Sequence, residues 1–162
     1  MNKEKIKTRE ELKEVVDNLK KQDKKLVTTN GVFDILHIGH IKYLQEARKL
    51  GDVLIVAINS DASTKRLKGT KRPLNNENDR VEALAALECV DFVTIFDEDD
   101  PIKFLEVIKP NIHVKGGDYD ISQIIEKETV EKNNGKITLI QEVKGYSTTD
   151  LINKILDLHG KQ

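Results

Sequence analysis

Apolar positions along this chain alternate between a helical and a strand-like spacing. Leu12, Val15, Val16 and Leu19 recur at helical intervals behind the capping box Thr8-Arg9-Glu10-Glu11, which predicts a helix to about Lys21. A short β-type run over 25–29 follows. Ile41, Leu44, Ala47 and Leu50 then line one face of a second helix, with Gly51 where a C-terminal cap is expected. Residues 52–58 form a continuous apolar run of strand length, as in a parallel strand covered on both faces. Asn59 or Ser60 can cap a short helix through Leu67, and 68–73 is a polar, basic loop. A helix over 76–88 carries Val81, Leu84 and Leu87 inward. A strand over 92–96 precedes a helix that has Pro101 in its first turn and Phe104, Leu105 and Ile108 on its apolar side. Strands over 112–115 and 136–140 complete the set. Ser147 opens the last helix, with Leu151, Ile152, Ile155 and Leu156 on one side. Alternation of this kind predicts an α/β open sheet of five strands, mostly parallel, with helices on both faces. Residues 1–24 read as an N-terminal helical arm and 25–162 as a single domain.

Composition narrows the class. Lys and Arg number 27 against 28 Asp and Glu, so the chain lacks the basic footprint of a general nucleic-acid or anionic-membrane binder. No run is long enough to span a bilayer, and the polar start MNKEKIKTREEL is no signal peptide. A cytoplasmic location is therefore expected. Cys89, the only cysteine, lies in an apolar stretch and reads as a small core residue.

The candidate chemistry sits where the first strand gives way to a helix. Residues 28–40 read TTNGVFDILHIGH, and His37 and His40 lie three apart around Gly39. A helix N-terminus presents unpaired N–H groups and a positive dipole end, which attract phosphate. Two imidazoles there can donate hydrogen bonds to phosphoryl oxygens. A zinc pair is disfavoured, because no Cys cluster or H-E-x-x-H pattern accompanies the histidines. Asn30, Gly31, Val32 and Phe33 form the loop after the strand and are expected to line a nucleotide, with a plain core role as the alternative for Phe33. Asp34 is expected to hold substrate hydroxyls or to cap the turn. Other polar, glycine-rich segments fall at later strand ends: NSD at 59–61, KGGDYD at 115–120 and KGYSTTD at 144–150. Ligands of open α/β sheets bind beyond these carboxyl ends.

Taken in order, TNGVFDILHIGHIKYLQEARKLGD, VAINSDASTKRLKG, RP, DR, VKGGDY and STT resemble the cytidylyltransferase-like, H-x-G-H nucleotidyltransferases. Within these, the series is most similar to the D-glycero-β-D-manno-heptose 1-phosphate adenylyltransferases, of which this chain would be a stand-alone version. The resemblance implies a Rossmann-like fold. It implies transfer of AMP from ATP to the sugar 1-phosphate, release of pyrophosphate, and ADP-heptose for surface polysaccharide. Mg²⁺ with ATP is the implied ion, with no metal site on the protein, and a homodimer is expected by analogy.

The resemblance also carries residue roles. His37, His40 and Lys65 would be catalytic, the histidines on the phosphates; Arg66 and Lys68 compete with Lys65. Gly39, Arg80, Lys115, Gly117, Gly145, Ser147, Thr148 and Thr149 would join the 30–33 loop at the nucleotide. Lys42 and Asp61 would join Asp34 at the acceptor. No general base is needed, since a phosphate monoester with second pKa near ~6 is largely dianionic at pH 7. Lys42 follows the H-x-G-H as in glycerol-3-phosphate cytidylyltransferases, whereas Glu142 stands near where those relatives carry an arginine. CTP with glycerol 3-phosphate is thus the rival pair, and a non-catalytic nucleotide-binding module the rival class.

Overall fold

In the computed structural model, which describes residues 2–117, 120–141 and 145–160, the apolar runs become five strands: β1 (Leu26–Gly31), β2 (Val53–Asn59), β3 (Phe92–Phe96), β4 (Ile112–Gly116) and β5 (Lys136–Ile140). They form one parallel sheet in the order β3-β2-β1-β4-β5. The helices are α1 (Arg9–Lys21), α2 (Ile38–Arg48), α3 (Asp61–Lys68), α4 (Glu77–Ala85), α5 (Ile102–Ile108), α6 (Lys127–Glu131) and α7 (Thr148–His159). The α/β open sheet predicted from the sequence is the fold observed, and it is all parallel.

Strand β2 shows why both faces must be covered. Every residue in it is buried. Successive side chains of a strand point to opposite faces. Leu54, Val56 and Ile58 accordingly join Leu44 of α2 and Val81 and Leu84 of α4 in one core cluster. Val53, Ile55 and Ala57 join Leu12 and Val16 of α1 and Phe104, Leu105 and Ile108 of α5 in the other.

Local chemistry sets most helix starts. Thr8 and Glu11 exchange the two hydrogen bonds of the capping box. Ser60 caps α3, Asn76 caps α4 and Ser147 caps α7, each accepting from a backbone N–H three residues on. Gly51 differs from its expected role. The residue capping the C-terminus of α2 is Lys49. A Cβ at Gly51 would lie 2.7 Å from the Lys25 carbonyl oxygen, so glycine there permits close approach to the entry of β1. The sequence pattern also missed two 3-10 turns, Asn2–Lys5 and Ile121–Gln123, and the short α6. None is long enough to display a periodicity.

The N-terminal segment read as an arm packs closely on the sheet. Ile6 forms a parallel bridge with Val93, and the Lys7 N–H donates to the Val93 carbonyl at 2.9 Å. Helix α1 lies against α5 and β3. Arg9 donates twice to the carboxylate of Glu98, at 2.9 and 2.7 Å. Leu12 and Val16 are fully buried. Leu12→Ala is expected to lower stability by about 2–5 kcal/mol, the range for buried Leu-to-Ala changes. Urea denaturation measures this; a loss below about 1 kcal/mol would mean that α1 contributes little to the cooperative core.

Candidate active site

Strand order reverses direction between β1 and β4, and the crevice there opens at their carboxyl ends. A cavity of about 430 Å³ occupies it. On the β1 side it is lined by Asn30, Gly31, Val32 and Phe33. Phe33 takes a left-handed backbone conformation, φ 50°. Its side chain is buried in the core cluster and also borders the cavity, 5.2 Å between ring centroids from His40. Phe33 is thus a core residue that also borders the cavity.

His37 is the N-terminal cap residue of α2, but its side chain makes no capping hydrogen bond. Its ring instead stacks on that of His40, with centroids 3.8 Å apart and planes inclined by 22°. Gly39 makes this packing possible. A Cβ there would meet His37 Nδ1 at 2.9 Å and the Tyr146 Cβ at 3.1 Å. Burial, followed by the neighbouring His37, pushes the His40 imidazole down to about 4, against a smaller opposing effect of a backbone hydrogen bond with Ile35. At neutral pH His40 is therefore uncharged and holds one N–H to donate. His40 Nδ1 is buried with no hydrogen-bond partner among the described residues.

Opposite the histidines, Ser147 and Thr148 bring the start of α7 to the cavity. Two helix N-termini thus converge on one space, with Lys115 from β4 and Lys68 from α3 at its walls. Backbone N–H groups, dipole ends, imidazoles and ammonium groups all favour an anion with several phosphates.

The basic face of α3 resolves differently from expectation. Ser63 and Thr64 are its buried positions, and residues three and four further on share their side of the helix. That phase brings Leu67 and Lys68 to the cavity, whereas Lys65 is exposed and does not line it. Arg66 points away, bonded to Asp99 at 2.7 Å and to the Asp97 carbonyl.

Arg80 and Asp34 are held inside the protein. The Arg80 side chain is wholly buried and donates to the carbonyls of Val32 (2.6 Å), Asn59 (2.9 Å) and Asn75 (3.1 Å) and to Asp61 Oδ1 (2.8 Å). It braces the loops after β1 and β2 from beneath the cavity, and Asp61 is its counter-charge. Asp34 accepts from Arg72 at 2.6 Å and from the backbone N–H groups of Leu74 and Asn75. Burial works to raise its carboxyl, but those two N–H groups and Arg72 outweigh it and hold it below the usual carboxylate range. The carboxylate ties down the 72–75 loop, nearer to the turn-capping role than to holding substrate. Lys42 and Thr149 are exposed and, like Asp61, Gly117 and Gly145, do not line the cavity. Gly117 and Gly145 take positive φ, 106° and 81°, which is reason enough for glycine there. Asp118, Tyr119, Glu142 and Lys144 lie outside the described residues.

Of the other cavity residues, Asn59, Gly116 and Tyr146 belong to the strand-end segments marked in the sequence, whereas Tyr43 and Leu67 do not. Tyr43 had a signal, since it follows His40 by one helical turn. Its hydroxyl pairs with Thr29 Oγ1 at 2.6 Å and donates to the Val114 carbonyl at 3.0 Å, bridging β1 and β4 under the cavity. His113, assigned only to a strand, is fully buried, with Nδ1 2.8 Å from Thr28 Oγ1. Burial, then Lys115, pushes it down to about 3.

The family model described as Cytidylyltransferase-like matches residues 28–154. The bifunctional protein HldE of Geobacter metallireducens is 49% identical over 98% of this chain, which covers 32% of that protein. HldE of Salmonella arizonae is 52% identical over 93% of this chain and 31% of its own length. The chain thus spans about a third of the length of these relatives. A lipopolysaccharide core biosynthesis protein of known structure from Thermoplasma volcanium is 34% identical, with a TM-score of 0.62 over 76% of this chain and 99% of that one. The pantoate-beta-alanine ligase of Francisella tularensis, at 20% identity and a TM-score of 0.63 over 97% of this chain and 79% of that one, shares the fold alone. Among the described residues, no helix is long and apolar enough to cross a membrane.

Half-buried His40 and fully buried His113 generate a pH dependence. In the unfolded chain an imidazole titrates near ~6.5, so between that value and the lowered folded values the unfolded state binds more protons. The stability contributed by neutral His40 and His113 is complete above about pH 6.5 and is lost as pH falls toward 4 and then 3. Ring-carbon NMR should find both neutral at about pH 5.5, with a lower urea midpoint at pH 5 than at pH 8. A His40 midpoint near 6.5 would mean that stacking and burial do not suppress its charge.

Proposed function

Since this chain belongs to the cytidylyltransferase-like family of nucleotidyltransferases, we propose that it transfers AMP from ATP to D-glycero-β-D-manno-heptose 1-phosphate, releasing pyrophosphate and forming ADP-heptose. The observation that carries the reading is the stacked His37–His40 pair at the start of α2, facing the start of α7 across a cavity walled by Lys68 and Lys115. The choice of ATP and heptose rests on the ordered motif series and is supported by about 50% identity to the HldE proteins.

The chemistry follows from joining two anions. A phosphate oxygen of the sugar attacks the α-phosphorus of ATP in line. The new O–P bond forms as the bond to the β-phosphate oxygen breaks, and pyrophosphate leaves with that electron pair. The nucleophile is already ionised, so the protein acts by positioning and by stabilising developing charge. His37 and His40 each present an N–H to the phosphoryl oxygens. A bound triphosphate also favours protonation of His40, reversing the suppression its neighbour and burial impose. The helix starts and Lys68 neutralise the β- and γ-phosphates. Among the described residues, no three His, Cys, Asp or Glu side chains gather as a metal site. Mg²⁺ would be carried in with ATP as its counter-ion.

Pyrophosphate release with Mg²⁺, crossing ATP and CTP against heptose 1-phosphate and glycerol 3-phosphate, tests the assignment. Release with ATP and heptose phosphate alone is expected; release with CTP and glycerol phosphate would discard the heptose assignment within the same family. His40→Ala is expected to lower kcat by about 10²–10³, the loss typical of one oxyanion donor. Near-normal turnover in a folded variant would refute its role.

A further inference from the structure

Glu126 is a charged residue that the adenylyl-transfer reading leaves unused, and it is 3% exposed. It opens α6, but its carboxylate makes no capping hydrogen bond there. It turns instead toward the end of β4, where Oε1 accepts from Lys115 Nζ at 2.7 Å. The same ammonium donates to Asn30 Oδ1 at 3.3 Å. Asn30 and Lys115 are the penultimate residues of the two strands between which the sheet reverses, and both line the cavity.

A lysine ammonium carries three N–H donors on a flexible stem. Two are used here, by Glu126 and Asn30, which leaves one for a ligand in the cavity. The geometry points to Glu126 as the positioning residue for Lys115. It fixes the ammonium against Asn30 so that the remaining N–H makes one directed hydrogen bond to the nucleotide. The inference rests on the reading that the cavity holds a nucleotide. It also assigns Lys115 a particular part. A buried carboxylate at 2.7 Å offsets the lysine's charge. Lys115 then contributes direction more than field, and general attraction of the triphosphate falls to the histidines, Lys68 and the helix starts.

A stapling role for the 120–126 segment would also place a carboxylate on a cation, so the test must separate the two. Calorimetry of Mg²⁺-ATP binding without acceptor does so, comparing the parent protein, Glu126→Gln, Lys115→Gln and the double variant. Glu126→Gln keeps the shape and removes the charge. It is expected to weaken ATP binding by about three- to tenfold, the worth of one oriented hydrogen bond. In the Lys115→Gln background the same change should weaken binding no further. Unchanged affinity in Glu126→Gln would overturn the inference, as would an equal loss with and without Lys115. Absence of ATP binding by the parent protein would instead remove the nucleotide reading, and this inference with it. Should Glu126→Gln not fold, Glu126→Asp carries the test. It retains the charge one methylene short, and a smaller weakening that again depends on Lys115 is expected. No weakening, or one independent of Lys115, overturns the positioning role.

Discussion

Strand β1 is paired on both sides, with β2 at one edge and β4 at the other, and the site depends on that double pairing. The chain winds outward from β1 through β2 to β3, then crosses back over β1 to lay down β4 and β5. Because parallel strands connect with a fixed hand, α2 and α4 cover one face of the sheet, and α5 and α6 lie with α1 on the other. Where the winding reverses, no crossover covers the strand ends, and a crevice is left. The loop after β1, the start of α2 and the end of β4 all open into it. Placing phosphate-binding chemistry there needs no separate scaffold, because the sheet's topology supplies the space and two helix starts supply the donors.

Buried charge supports that space from within. Arg80 gathers the carbonyls at the ends of β1 and β2 beneath the cavity, with Asp61 as counter-ion, and Asp34 anchors the 72–75 loop. Neither contact adds much net stability, since desolvating a charge offsets most of what pairing returns. What they contribute is geometry, because a buried charge with several fixed partners tolerates little displacement. The cavity rim is therefore held by groups that do not themselves line the cavity.

The histidine pair shows the same economy of placement. Stacking at 3.8 Å requires that a residue between them lack a side chain, and Gly39 meets that need. The proximity and burial that hold the rings also keep His40 neutral in the empty site. With His40 neutral the stacked pair avoids like-charge repulsion, and a phosphate ligand would supply the negative charge that makes its protonation favourable. The pair is thus tuned by its own packing to respond to the substrate it is proposed to bind.

Much of this was legible in the linear chain. Strand and helix alternation, the capping box at Thr8 and the helix starts near Asn76 and Ser147 depend on residues within one turn of each other, so local pattern carried them. The turn bearing His37, Gly39 and His40 was readable for the same reason, as were the 30–33 loop, Lys115 and the Ser147–Thr148 helix start, all of which reach one cavity. Tertiary structure alone decided the rest. The phase of α3 on the sheet, which spacing within 61–68 does not specify, brought Lys68 inward in place of Lys65. Arg80 and Asp34 look like surface or ligand residues in sequence and became internal braces, because their partners lie on loops distant along the chain. Glu126 reached Lys115, and His40 lost its charge, because burial and electrostatic environment are set by neighbours in space and not by neighbours in sequence.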